Sequence, residues 1–195
     1  IDSRARIGAG GDFNIRGQKL NLFGNAMYNQ RKSISTGNTT RLQMTDNPDT
    51  YFNQNDKNTS IGNFRFIRLG ADFFIDNRNT LTVNGNFVKG KFEPFSVNDI
   101  LVDTLSNPKN SSSFLRTSNT LGEFRNMGSQ LSFKHNFPKA GREWTADATF
   151  NASKNNNAND IRTDTFNLPS YTIRNTAKQQ QITNGDNKNI TIQTD

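Results

Sequence analysis

Residues 4 to 16 alternate without interruption. Arg4, Arg6, Gly8, Gly10, Asp12, Asn14 and Arg16 hold the even positions, and Ala5, Ile7, Ala9, Gly11, Phe13 and Ile15 hold the odd ones. A period of two places every apolar side chain of this run on one face of a β-strand. After Arg16-Gly17-Gln18 a second alternation begins. Leu20, Leu22, Gly24, Ala26 and Tyr28 share one face and Lys19, Asn21 and Asn25 the other, with Phe23 and Met27 as exceptions. Two alternating runs around a short break containing Gly predict a β-hairpin over about 4–30.

The plan returns twice, at intervals of about 60 residues, which marks a repeated supersecondary unit. In the second unit Ile67, Leu69, Ala71, Phe73 and Ile75 oppose Arg68, Gly70, Asp72 and Asp76. The segment "DNRN" offers Asx residues for the turn, and Leu81, Val83, Gly85 and Phe87 return against Thr82, Asn84 and Asn86. This predicts a hairpin over about 62–92. In the third unit, about 122–153, Met127, Leu131, Phe133, His135 and Phe137 alternate with polar residues. Trp144, Ala146, Ala148, Phe150 and Ala152 form the return strand. The closing "NITIQTD" begins one more strand.

Three polar segments, 31–61, 93–121 and 154–188, separate the hairpins and read as long loops. The expectation is therefore all-β: antiparallel up-and-down hairpins forming six to seven strands of a partial transmembrane β-barrel. Short turns lie at one end, long loops at the other, and residues 1–195 form a fragment of one barrel domain. Strands of about 10 to 13 residues suit a tilted crossing, which needs about 9–11. Within hydrocarbon only helices and closed barrels pair every backbone N–H and C=O, and no helical period is present. Phe13, Phe73, Phe137 and Trp144 flank the short turns, while Tyr28, Phe64 and Phe92 lie toward the long loops. These are read as two interfacial aromatic girdles.

Composition sharpens this picture. Hydrophobic residues make up 31% of the chain, and thirty residues are asparagine, too wet for an ordinary two-layer core. The 16 phenylalanines set the chain apart from disordered sequences, which are poor in aromatics. A sheet with one apolar and one hydrated face fits both facts. No cysteine is present, which removes disulfides, thiolate metal sites and cysteine nucleophiles. The chain opens at Ile1 without a charged and apolar leader and contains no apolar run long enough for a transmembrane helix. It is read as an internal fragment of a larger barrel.

Other motifs give little chemistry. "GNFVKGK" (Gly85 to Lys91) has P-loop spacing but continues with Phe92 where Ser or Thr would hold Mg²⁺. "GAGGDF" (Gly8 to Phe13) lacks the third glycine of a dinucleotide fingerprint. His135 has no second His or Cys to share a zinc ion with. Asp46, Asp49 and Asp56 miss the EF-hand spacing. No catalytic residue, cofactor or metal is expected. The net charge is +7, yet the cations are scattered rather than clustered, so nucleic acid is not an expected partner. Arg4, Arg6, Arg16 and Arg68 would point into the lumen of a barrel, where they either favour an anionic solute or pair with neighbouring carboxylates.

"RLGADFFIDNRNTLTVNGNF" (Arg68 to Phe87) and its echo "GAGGDFNIRGQKLNLFGNAMYNQ" (Gly8 to Gln30) resemble the barrel region of Bacteroidota TonB-dependent receptor-like outer-membrane proteins. In that family a Gly-x-Asp-aromatic strand, a short turn and a Thr-Leu-x-x-x-Gly return strand recur. The resemblance implies a large barrel with a plug, in the outer membrane, coupled to the TonB system through parts absent from this sequence. Its partners would be outer-membrane lipid and an extracellular ligand, and its role nutrient import. The aromatics of the polar segments, Tyr51, Phe52, Phe114, Phe166 and Tyr171, are the candidate ligand contacts, because loops commonly carry function. The alternative is a β-rich surface protein, structural or adhesive, without transport activity.

Overall fold

A computed structural model describes residues 6–44, 48–105, 110–139 and 141–195. It contains seven strands: β1 (Ile7–Arg16), β2 (Leu20–Gln43), β3 (Thr50–Phe74), β4 (Asn79–Thr104), β5 (Ser112–Asn136), β6 (Glu143–Asn167) and β7 (Thr172–Thr194). They form one sheet in the order β1-β2-β3-β4-β5-β6-β7. Every neighbouring pair is antiparallel. The up-and-down all-β arrangement is thus as the alternation predicts. The sheet is open: β1 pairs only with β2, and β7 only with β6.

Strand length departs from the expectation. Segments 31–61, 93–121 and 154–188 are not long loops. Their residues extend the hairpins into ribbons, with Arg31 paired to Gly62 and Gln43 to Thr50 in unbroken register. The strands from β2 to β6 reach 24 to 26 residues, and the connections at this end shrink to 44–49, 105–111 and 168–171. Backbone ladders do not require apolar side chains. One row across the ribbons runs Ser35, Asn58, Ser96, Ser118, and the row beside it on the opposite face runs Thr36, Lys57, Val97, Thr117. With polar residues on both faces there is no hydrophobic period to read, although cross-strand Ser, Thr and Asn pairs support the sheet.

At the short-turn end the two faces diverge. Cross-strand partners share a face, so the register defines rows. One runs Ile15, Leu22, Ala71, Val83, Leu131, Ala148, Ile192 from β1 to β7. Beside it on the same face lie the rows Leu20, Phe73, Leu81, Phe133, Ala146 and Phe13, Gly24, Leu69, Gly85, Ser129, Phe150, Ile190. The result is an apolar belt across the whole sheet. Nothing packs on it. Among the described residues no hydrophobic side chain is buried, and Leu69 and Ile192 are 55% and 79% exposed. A soluble antiparallel sheet normally lays such a face on a second layer.

The turn between β3 and β4 is closed by a carboxylate. Asp76 Oδ1 accepts from the backbone N–H groups of Arg78 (2.7 Å) and Asn79 (2.8 Å), and Oδ2 accepts from Asn79 Nδ2 (2.7 Å). The Asn79 side chain and these N–H donors hold the carboxyl below its ordinary value of 3.8. A depressed acid contributes stability above the unfolded pKa and loses it as pH falls through the folded one. The wild type should therefore lose stability relative to Asp76→Ala below about pH 4. Denaturant midpoints of the two proteins, measured from pH 7 to pH 3, should converge at the acid end. A constant gap would remove the ionic contribution of this turn.

Candidate functional site

The face opposite the belt is polar and internally bonded. Its rows include Asp12, Asn25, Arg68, Asn86, Gly128, Asn151 and Arg16, Asn21, Asp72, Thr82, Ser132, Asp147. Asp72 accepts from Asn21 Nδ2 (3.0 Å) and Thr82 Oγ1 (2.8 Å). Asp147 accepts from the Ser132 hydroxyl and from Gln130 Nε2 (3.3 Å), and Gln130 Oε1 takes a bond from Asn84 Nδ2 (3.2 Å). These carboxylates are satisfied by neutral donors, and the network ties adjacent strands together.

Arg16 and Arg68 stand on this face, held by aromatic rings. The Arg16 guanidinium lies 5.1 Å from the centre of Phe74, and that of Arg68 lies 5.8 Å from Phe23. Stacking of this kind fixes a guanidinium without consuming its donors. Both side chains are exposed, so the polar face presents cations anchored by π-systems. Arg6 precedes β1 and has an interaction partner. Arg4 lies outside the described residues, as does Asp46.

Phe23 breaks the sequence alternation for a reason visible here. Its ring lies across Gly70, where an added Cβ would come within 2.3 Å of Phe23 Cζ. The same device corrects one sequence reading. Phe64 and Phe92 do not join Tyr28 in a girdle above the belt. Phe92 pairs with Gly62 and Gly122, and Phe64 with Asn29 and Gly90, all on the polar face. Phe92 covers Gly122 and Phe124 covers Gly90, a crossed pair between "GKF" (90–92) on β4 and "GEF" (122–124) on β5. The spacing of glycine two residues before phenylalanine on both strands was the available signal. Phe13, Phe73 and Trp144 do stand with the belt. Phe133 and Trp144 meet edge to face at 5.8 Å, as do His135 and Phe137 at 4.6 Å. Trp144 Nε1 donates to Thr194 Oγ1 (2.8 Å) and His135 Nδ1 lies 2.7 Å from Asn79 Oδ1.

The candidate ligand aromatics do not form one site. Tyr51 and Phe52 belong to β3, Phe114 to β5 and Phe166 to β6, so four of the five are strand residues and only Tyr171 lies in a turn. Tyr51 pairs with Leu42 and Asp103, and Phe166 with Ser113, on the belt face; Phe52 and Phe114 occupy the opposite face. Arg41 lies over Phe52 at 5.6 Å. Near this end Asp164 is buried, and the Thr176 hydroxyl, followed by the Arg162 guanidinium at 3.0 Å, holds its carboxyl below the usual range. Asp56 accepts from Gln54 Nε2 (2.7 Å) and Asn98 Nδ2. Among the described residues no group of three or more His, Cys, Asp or Glu is arranged to hold a metal ion.

No family model matches this chain, and no curated protein matches it. Among solved structures it aligns with the crystal structure of Pseudomonas aeruginosa OccK8 (OprE) at 8% identity. The alignment covers 97% of this chain and 92% of that chain with a TM-score of 0.13. A superposition that loose carries no weight for fold or function.

Proposed function

We propose that this chain is part of the wall of an outer-membrane β-barrel, its belt facing lipid and its polar face lining a lumen through which a solute passes. The observation that carries the reading is the unburied apolar belt on a single-layer sheet whose other face is hydrogen-bonded and charged. From Ile75 to Ile67 the chain climbs about 27 Å at about 3.4 Å per residue. A tilt of about 40° lowers this to about 21 Å, near the apolar band of about 25 Å in such barrels. The Trp144–Phe133 and His135–Phe137 pairs then form one aromatic border. Closure requires strands beyond these seven, since bacterial barrels have at least eight, and the open edges of β1 and β7 are where they would join.

The finer reading is a TonB-dependent importer of nutrients. It rests on the resemblance of Arg68 to Phe87 and Gly8 to Gln30 to that family. The extended ribbons would carry the ligand-facing surface far above the membrane, and Arg16 and Arg68 would line the passage.

Antiserum to this segment, used on fractionated source cells with boiled and unboiled samples, tests the barrel. A heat-shifted outer-membrane band well above 21.9 kDa is expected. A soluble band near 21.9 kDa would overturn the membrane reading and favour a β-rich surface protein. Solute uptake that collapses when the proton gradient is dissipated would distinguish the importer from a passive pore.

A further inference from the structure

Directly above the belt, on the same face, the register aligns Arg65, Lys89, Arg125 and Lys154 as consecutive cross-strand partners on β3, β4, β5 and β6. Tyr28 ends the row on one side, with Arg65 over its ring at 5.7 Å, and Asp186 ends it on the other. All four cations are exposed. Lys91 and Glu123 stand opposite each other one row higher, and Lys188 lies one row lower. Among the described residues Lys89, Arg125 and Lys154 form no ion pair, the nearby Lys91 being bound to Glu93 at 2.7 Å.

Like charges placed directly opposite across strands are destabilising. Here three such juxtapositions follow one another, at the edge of the apolar belt rather than in open solvent. The next row toward the belt is Ala26, Ile67, Phe87, Met127, Ala152. A depression of about 240 Å³ lies on the cationic row, lined by Lys89, Glu123, Phe124, Arg125, Lys154 and Asn156.

We propose that this row is a binding site for the phosphate groups of anionic lipids whose acyl chains cover the belt beneath it. The inference rests on the membrane reading above. At about 4.8 Å between strands the four cations span about 14 Å, wide enough for more than one phosphate. Arginine supplies bidentate pairing and lysine a mobile point charge. Bound phosphate turns the repulsion along the row into attraction, and the long stems of the cations lie over apolar surface. The site fixes the vertical position of the barrel and orders the lipid shell around its outer rim.

The test uses the full-length protein, delipidated in neutral detergent and titrated by native mass spectrometry with phosphatidic acid, phosphatidylcholine and inorganic phosphate. Wild type should take up phosphatidic acid at least tenfold more tightly than phosphatidylcholine. The Lys89→Gln/Arg125→Gln/Lys154→Gln variant should lose most of that preference while binding phosphatidylcholine unchanged and keeping its heat-shifted mobility. Should the triple variant not fold, Lys89→Gln and Lys154→Gln singly should each lower the preference about threefold. An undiminished preference in the variants overturns the proposal, as does inorganic phosphate that binds as tightly as the lipid. Uptake of phosphatidylcholine without preference for phosphatidic acid defeats this site alone, whereas a protein binding neither lipid and absent from the outer membrane defeats the membrane reading with it.

Discussion

With the belt facing lipid as proposed, Leu69→Arg should destabilise the assembled protein by about 2–4 kcal/mol, the cost of a cation near the middle of the bilayer. Leu69 sits in the third row of the belt, paired with Gly24 and Gly85, and is 55% exposed. Glycine on both sides leaves an arginine at this position no neighbour that could shield its charge. The row is also distant from the polar ribbons to which the side chain would have to reach. Asn151→Arg is the control. Asn151 lies on the polar face, paired with Gly128 and Asn189 and one residue along β6 from Phe150 of the Leu69 row. Denaturant unfolding in lipid vesicles, with the heat-shifted band as the measure of assembly, should show a large loss for Leu69→Arg and little change for Asn151→Arg. Equal tolerance of both would mean that neither face meets lipid, and a reversed outcome would exchange the lumen and lipid assignments.

How much of this was legible depended on whether a segment has two different faces. Ile67, Leu69, Ala71 and Phe73 alternate with Arg68, Gly70 and Asp72, and the strand they predict is present with the expected side toward the belt. Arg31 to Gln43 and Thr50 to Ile61 also form strands, but polar side chains dominate both faces and the few apolar ones, such as Ile34 and Phe52, fall on different faces, so the ladder left no regular trace in the hydropathy. The cationic row was equally hidden. Arg65, Lys89, Arg125 and Lys154 are far apart in the chain, and only the cross-strand register brings them side by side. The aromatic residues divided in a similar way. Trp144 and Phe133 follow the alternation and could be placed on the belt. Phe23, Phe92 and Phe124 obey a different constraint, the glycines on neighbouring strands that their rings cover, which no single-strand period reports.

That constraint yields a result opposite in sign to the usual rule. Alanine in place of a strand glycine normally stabilises by about 0.5–1 kcal/mol, because glycine gives up more conformational freedom on folding. Gly122→Ala should instead destabilise by about 1–2 kcal/mol, since forcing extra carbon into packed surface typically costs about 1–3. A Cβ at Gly122 would lie 2.1 Å from Phe92 Cζ and 2.4 Å from Cε2. The ring must swing away, and it then loses its seat on the buried Gly122 backbone. Phe124 covers Gly90 in the same way on the neighbouring pair. Placing Gly122→Ala in a Phe92→Ala background removes the obstruction, and the substitution should become neutral or stabilising. The difference between backgrounds is the coupling energy of a double-mutant cycle, read from denaturant midpoints in vesicles. The same loss in both would assign the effect to the β4–β5 backbone and separate Phe92 from it. A loss confined to the native background would assign the cost to the Phe92 ring seated over Gly122, a contact that this sheet, lacking a second layer, makes across its own strands.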